Sequence, residues 1–254
     1  MRTRPVGLGI TGFGDLCLAT GVKYGAPASL ALMREVMGFV RREAWLESLR
    51  LGSLRGAFPE FARNRAAYEE LVYADLQIAR RTPLTPRNFQ VSMIEPAGTV
   101  SQVAETSFGC EPNFSWVWMR HDRIGRRTCV HPMAAQALGL EVDWMDPAAV
   151  DRAADVVLRR EGDLPEHFVC ALDVPARDHV RLLAAAQEHV DNSVSKTVNG
   201  TADDSVQSVI ALYGLARELD CKAVSYYRDG SRDGQVMNMV RNEAPTACHA
   251  GVCA

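Results

Sequence analysis

The 254 residues are 47% hydrophobic and 23% charged, with a formal net charge of −3. That balance is ordinary for a folded chain of one large domain or two small ones, and it excludes a global polybasic nucleic-acid surface. No apolar run approaches the roughly 18 residues of a membrane span. The basic, briefly apolar start M-R-T-R-P-V-G-L-G is interrupted by Gly12, Gly14 and Asp15 too early for a signal peptide, so a cytoplasmic protein is expected.

In chain order, Pro27 to Leu51 reads as a long helix. Pro27 suits its first turn, and Leu30, Met33, Met37, Val40 and Ala44 recur at helical spacing. A second helix is expected within Phe61 to Ile78, ended before Pro83 and Pro86. Phe89 to Ile94 and Phe114 to Met119 are apolar, aromatic or branched, and read as strands. The locally basic Arg120 to Arg127 between them and the next element reads as a solvated loop. His131 to Leu138, Pro147 to Arg159 and Ala176 to about Val190 look helical. Ser193 to Asn199 alternates, with Ser193, Ser195, Thr197 and Asn199 on one face and Val194, Lys196 and Val198 on the other. A continuous polar face suits either a wet cavity or a solvent-facing edge strand. Asp203 and Asp204 are placed to start a helix striped with Val206, Val209, Ile210 and Tyr213, and Ala223 to Tyr227 reads as a short strand. Strands alternating with helices argue for an α/β fold with mostly parallel strands.

The seven cysteines include no C-x-x-C pair of the kind that holds zinc, so no metal site is expected. Cys17, Cys110, Cys129, Cys170 and Cys221 sit in apolar surroundings and read mostly as buried thiols. Cys248 and Cys253 differ: they close the chain in C-H-A-G-V-C-A, a terminus with nothing to tie it down. Thiols in a mobile tail exchange readily with other disulfides, and His249 is placed to help one ionise. A chance terminal pair is the bland alternative.

The densest stretch is Glu95 to Pro112, E-P-A-G-T-V-S-Q-V-A-E-T-S-F-G-C-E-P. A strand runs into a turn forced by Pro96 and Gly98, and Ser101 to Ala104 can open a helix. Backbone N–H groups at such a junction suit an anion, and Gly98 lets a phosphate approach the backbone. Taken alone, the same turn also fits a capped helix with no ligand.

P-A-G-T-V-S followed by G-C-E-P resembles the substrate-phosphate loop of ribonucleotide reductase large chains. Arg4 to Asp15 (R-P-V-G-L-G-I-T-G-F-G-D) resembles a segment upstream of that loop. His189 to Asn199 (H-V-D-N-S-V-S-K-T-V-N) and Tyr227 to Arg232 (Y-R-D-G-S-R) resemble the family's adenosylcobalamin-dependent branch. The match is collinear and covers nearly all of this chain, but only the C-terminal part of the family's chain. It implies the C-terminal portion of a ten-stranded α/β barrel over residues 1–235, and a flexible redox tail over 236–254.

The resemblance implies substrate phosphate at Ala97, Gly98, Thr99, Val100 and Ser101, and electron delivery through Cys248 and Cys253. It implies adenosylcobalamin as cofactor, a ribonucleotide as substrate and a thioredoxin-like reductant as partner; no nucleic acid or membrane is involved. The family's radical cysteine lies in an N-x-C-x-E loop, and this sequence has no such pattern. Cys110 precedes Glu111 only as part of G-C-E-P and is no substitute. The expectation is therefore a chain that does not catalyse alone: a piece of a split enzyme completed by an N-terminal half from another chain, or a truncated remnant. A non-catalytic nucleotide- or phosphate-binding module is one alternative. A large chain served by a metal-radical subunit, using Tyr226 and Tyr227 as a relay, is another.

Overall fold

The computed structural model describes residues 2–122, 125–228 and 238–239. Helix α1, Phe13–Ala19, follows Gly12, whose φ of 85° needs a glycine. The long helix α2 spans Pro27–Arg55, with Pro27 in its first turn as the sequence predicts. Its buried Met33 and Met37 pack against α7, Ala176–Gln187.

The stretch expected as a second helix is broken. It runs as a 3-10 turn over Pro59–Asn64, helix α3 over Arg65–Glu69, and a π turn over Glu70–Asp75. The wide turn is closed by Leu76 N–H on Leu71 O and Ile78 N–H on Val72 O. It brings Tyr68, Val72, Leu76 and Ile78 into one cluster with Trp45, Phe58 and Phe61. Aromatic packing has overridden the helical period.

Parallel pairing builds the framework of the site. Leu8 bridges Ser92 and Ile94 bridges Val194, both in parallel. The N–H of Ser195 donates to Ile94 O at 2.8 Å, and that of Ile94 to Ser193 O at 3.1 Å. Just beyond Val194 the chain becomes β3, Thr197–Gly200, which pairs in parallel with a later strand, Ser225–Arg228. The same stretch is thus bonded to residues 90–94 at its start and to that later strand at its end. Helix α7 covers β3, burying Val180 against Val198.

Residues 117–130 depart from the parallel expectation. β1, Val117–Asp122, and β2, Gly125–Val130, form an antiparallel pair, and β1 also pairs antiparallel with Asn238–Met239. The basic stretch read as a loop therefore lies largely within these two strands. Helices α5, Pro132–Ala137, and α6, Pro147–Arg159, pack a second core with them. The bounds of α6 are those predicted, and Asp146 caps it by accepting from Ala148 N–H at 3.0 Å.

Helix α8, Val206–Glu218, starts later than its sequence suggests, because the Ser205 hydroxyl rather than Asp203 or Asp204 caps it. Its predicted apolar stripe faces outward: Val206 is 71% and Ile210 65% exposed, while Leu212 and Ala216 are buried. β4, Ser225–Arg228, is the later strand that pairs with β3. Among the described residues no helix is long and apolar enough to cross a membrane.

Candidate functional site: an open turn held from beneath

The turn after residues 90–94 leads into helix α4, Gly98–Ala104. Ala97 precedes it in a left-handed conformation, φ 53°, a strained position for a residue with a Cβ. The first intrahelical bond is from Ser101 N–H to Ala97 O at 2.8 Å. The N–H groups of Gly98, Thr99 and Val100 therefore precede the helical ladder, as at any helix start. Thr99 and Val100 are exposed. Gly98 is half-buried, and a Cβ built on it would meet nothing within 4 Å, so no neighbour crowds its side-chain position.

Ser101 is placed differently. It is 0% exposed, and its hydroxyl is hydrogen-bonded to that of Thr11, 90 residues away in sequence. It fastens the turn from below. Thr11 also donates to Ser107 O at 2.8 Å. Asp15 completes this anchor. Its Oδ2 accepts from the Thr106 hydroxyl at 2.7 Å and from Ser107 N–H at 2.8 Å, and its Oδ1 lies 3.1 Å from His131 Nε2. Burial alone would raise the Asp15 carboxyl, but the bonds from His131, Thr106 and Ser107 outweigh it and hold its pKa at about 2.

The far end of the loop meets β3. Glu111 Oε1 accepts from Thr197 N–H at 2.6 Å, and Oε2 lies 2.6 Å from Lys196 Nζ. Lys196 also reaches His179 Nδ1 at 3.0 Å and Thr197 O at 3.3 Å. Burial, then the Lys196 charge, push the His179 pKa down to about 3, so the imidazole stays neutral and accepts from the lysine. Tyr24 donates to Cys110 O at 2.6 Å. Burial, with the Glu111 charge added, pushes the Cys110 thiol up to about 12; Cys17 reaches about 12 by burial. Both stay protonated at neutral pH and are poor nucleophiles.

The alternation over 193–199 is present. Ser193 and Ser195 are exposed, whereas Val194, Lys196 and Val198 are buried. Tyr226 is a strand aromatic: it packs beside Val198 and Leu212, and its hydroxyl is bonded to Asp204. Burial and Asp204 raise its pKa to about 12. Cys248, Cys253 and most of the Y-R-D-G-S-R segment lie outside the described residues. Sequence reasoning did not single out Thr11, Asp15, Glu111 or Lys196 as functional. Their signal was membership of the matching segments, which does not say which side chains meet.

Residues 1–227 match the family model described as "Ribonucleotide reductase, barrel domain". The chain belongs to this family.

Relatives that align with most of this ribonucleotide reductase chain carry the same family's name. The "Vitamin B12-dependent ribonucleoside-diphosphate reductase" of Mycobacterium tuberculosis is 33% identical over 241 residues, covering 93% of this chain and 33% of that protein. The protein of the same name from Thermoplasma acidophilum is 27% identical, covering 92% of this chain and 29% of its own length. A "Vitamin B12-dependent ribonucleotide reductase" from Rhodopirellula baltica is 26% identical, covering 95% and 27%. This chain thus spans about a third of the length of the curated relatives it matches. Among solved structures, the Actinobacillus ureae class Id ribonucleotide reductase alpha subunit superposes with a TM-score of 0.65 at 14% identity, covering 90% of this chain and 40% of that one. At that identity the likeness is one of fold.

Proposed function

We propose that this chain is the phosphate-anchoring part of an adenosylcobalamin-dependent ribonucleotide reductase, and that Ala97 to Ser101 hold the substrate's phosphate. The observation that carries this is the open turn at Gly98. Its N–H groups precede the helical ladder, Thr99 and Val100 beside it are exposed, and Ser101 secures it from below. N–H groups at Gly98, Thr99 and Val100, with the Thr99 hydroxyl, are the donors for phosphate oxygens. Ser101 serves as the fastening and Ala97 as the bend. The substrate is a ribonucleoside di- or triphosphate and the product its 2′-deoxy form. This chemistry takes place where ribonucleotides are made, so the reading carries a cytoplasmic location with it.

The radical-bearing cysteine that such a reaction needs would come from outside these 254 residues, on an N-terminal half of the barrel. Cys248 and Cys253 would pass electrons from a thioredoxin-like reductant by thiol–disulfide exchange. The names of the relatives support adenosylcobalamin, which when bound supplies a carbon radical. Among the described residues, one surface cavity is lined by Ala176, Asp204 and Leu212 and another by Arg41, Trp45 and Tyr68; neither includes a residue of the turn.

The test is reconstitution with a candidate N-terminal half and assay with and without adenosylcobalamin. Activity that requires the cofactor is expected. Thr99→Val should fold normally and weaken nucleotide binding by about 1–3 kcal/mol, the scale of a lost bond to a charged group. Unchanged nucleotide affinity in Thr99→Val would remove the phosphate assignment.

A further inference from the structure

The Lys196–Glu111 pair lies outside the anchor just assigned. The Lys196 side chain is 0% exposed and that of Glu111 21%. The ammonium has an acceptor for each of its protons: Glu111 Oε2, His179 Nδ1 and Thr197 O. The Tyr24 ring lies 5.4 Å from it. His179 is fixed as the acceptor because its Nε2 donates to Ala171 O at 2.9 Å. The second Glu111 oxygen takes the Thr197 N–H. One carboxylate thus binds both the side chain and the backbone of adjoining residues at the start of β3. Glu111 stands in the segment that returns from α4, whose other end is fixed through Ser101, Thr106 and Ser107 to Thr11 and Asp15.

A buried ion pair contributes little net stability over a well-packed apolar pair of similar volume, because desolvation offsets the attraction. Fixed geometry is what this pair supplies. We propose that Glu111 and Lys196 are positioning residues that set the spacing between the Ala97–Ser101 turn and the polar face carrying Ser193 and Ser195. A phosphorylated ligand held at the turn then lies in fixed register across that face. The inference rests on the phosphate reading for its ligand, but the placement of the turn is measurable without one.

The experiment compares the full chain with Lys196→Met, Glu111→Gln and the double variant, which leaves no lone buried charge. Urea unfolding reports stability. Hydrogen exchange reports the hydrogen-bonded amides of Ser101, Thr106 and Ser107, with α6 as an internal control. Titration with ADP reports binding.

The single variants should lose stability. In the double variant stability should return, while exchange at those amides stays at least tenfold faster than wild type, α6 is unchanged, and ADP affinity remains about tenfold weaker. A double variant that matches wild type in turn exchange and in ADP affinity overturns the proposal, since the pair is then packing alone. Faster turn exchange together with an ADP affinity that Thr99→Val leaves unchanged in the reconstituted enzyme sustains the positioning role and refutes the phosphate reading instead. If the single variants do not fold, the double variant decides.

Discussion

Asp15→Asn tests whether the loop beneath the turn is held by a charge. The Asp15 pKa falls from 3.8 to about 2 in the folded protein, and its side chain is only 20% exposed. Lowering a carboxyl's pKa by one on folding is worth about 1.4 kcal/mol, so the ionised carboxylate contributes on the order of 2 kcal/mol. The folded value is depressed, so this stability is fully present above pH 3.8 and is lost as pH falls through about 2. Asparagine keeps the shape and one acceptor oxygen but not the charge. Urea unfolding at neutral pH should therefore show a loss of about 2 kcal/mol in Asp15→Asn. The gap between wild type and variant should close as the pH approaches 2. A gap that stays constant between pH 5 and pH 2 would refute the reasoning, because it would place the cost in packing.

Two further substitutions probe the backbone near and away from the turn. Ala97→Gly should raise stability by up to about 1 kcal/mol in urea unfolding, since φ is 53° there and an L side chain is strained in that region; a loss would show that the conformation is unstrained. Gly52→Ala should cost about 3 kcal/mol by the same measurement, because a Cβ on that turn of α2 would stand 1.5 Å from the Thr85 carbonyl oxygen; near-wild-type stability would mean that α2 and the 82–87 segment separate easily.

What the sequence determined by itself is what neighbours in the chain decide. Pro27 and Pro147 open helices because proline suits a first turn, and Asp146 caps α6 with its own oxygen. The alternation from Ser193 to Asn199 survives because a strand presents residues to opposite sides. The turn and helix around Gly98 were legible for the same reason, and the collinear motifs named the family. Phe89 to Ile94, expected as a strand, makes only isolated parallel bridges at Ser92 and Ile94, because its partners lie in segments distant in the chain. The tertiary structure decided the rest. The outward face of α8 and the broken helix at residues 59–75 follow from which surfaces were available to pack against. It alone put Ser101 under Thr11, and Glu111 on Lys196 across 85 residues. A periodic pattern states which residues share a face. It does not state which distant face that one will meet, and that meeting turns a helix start into a held and open turn.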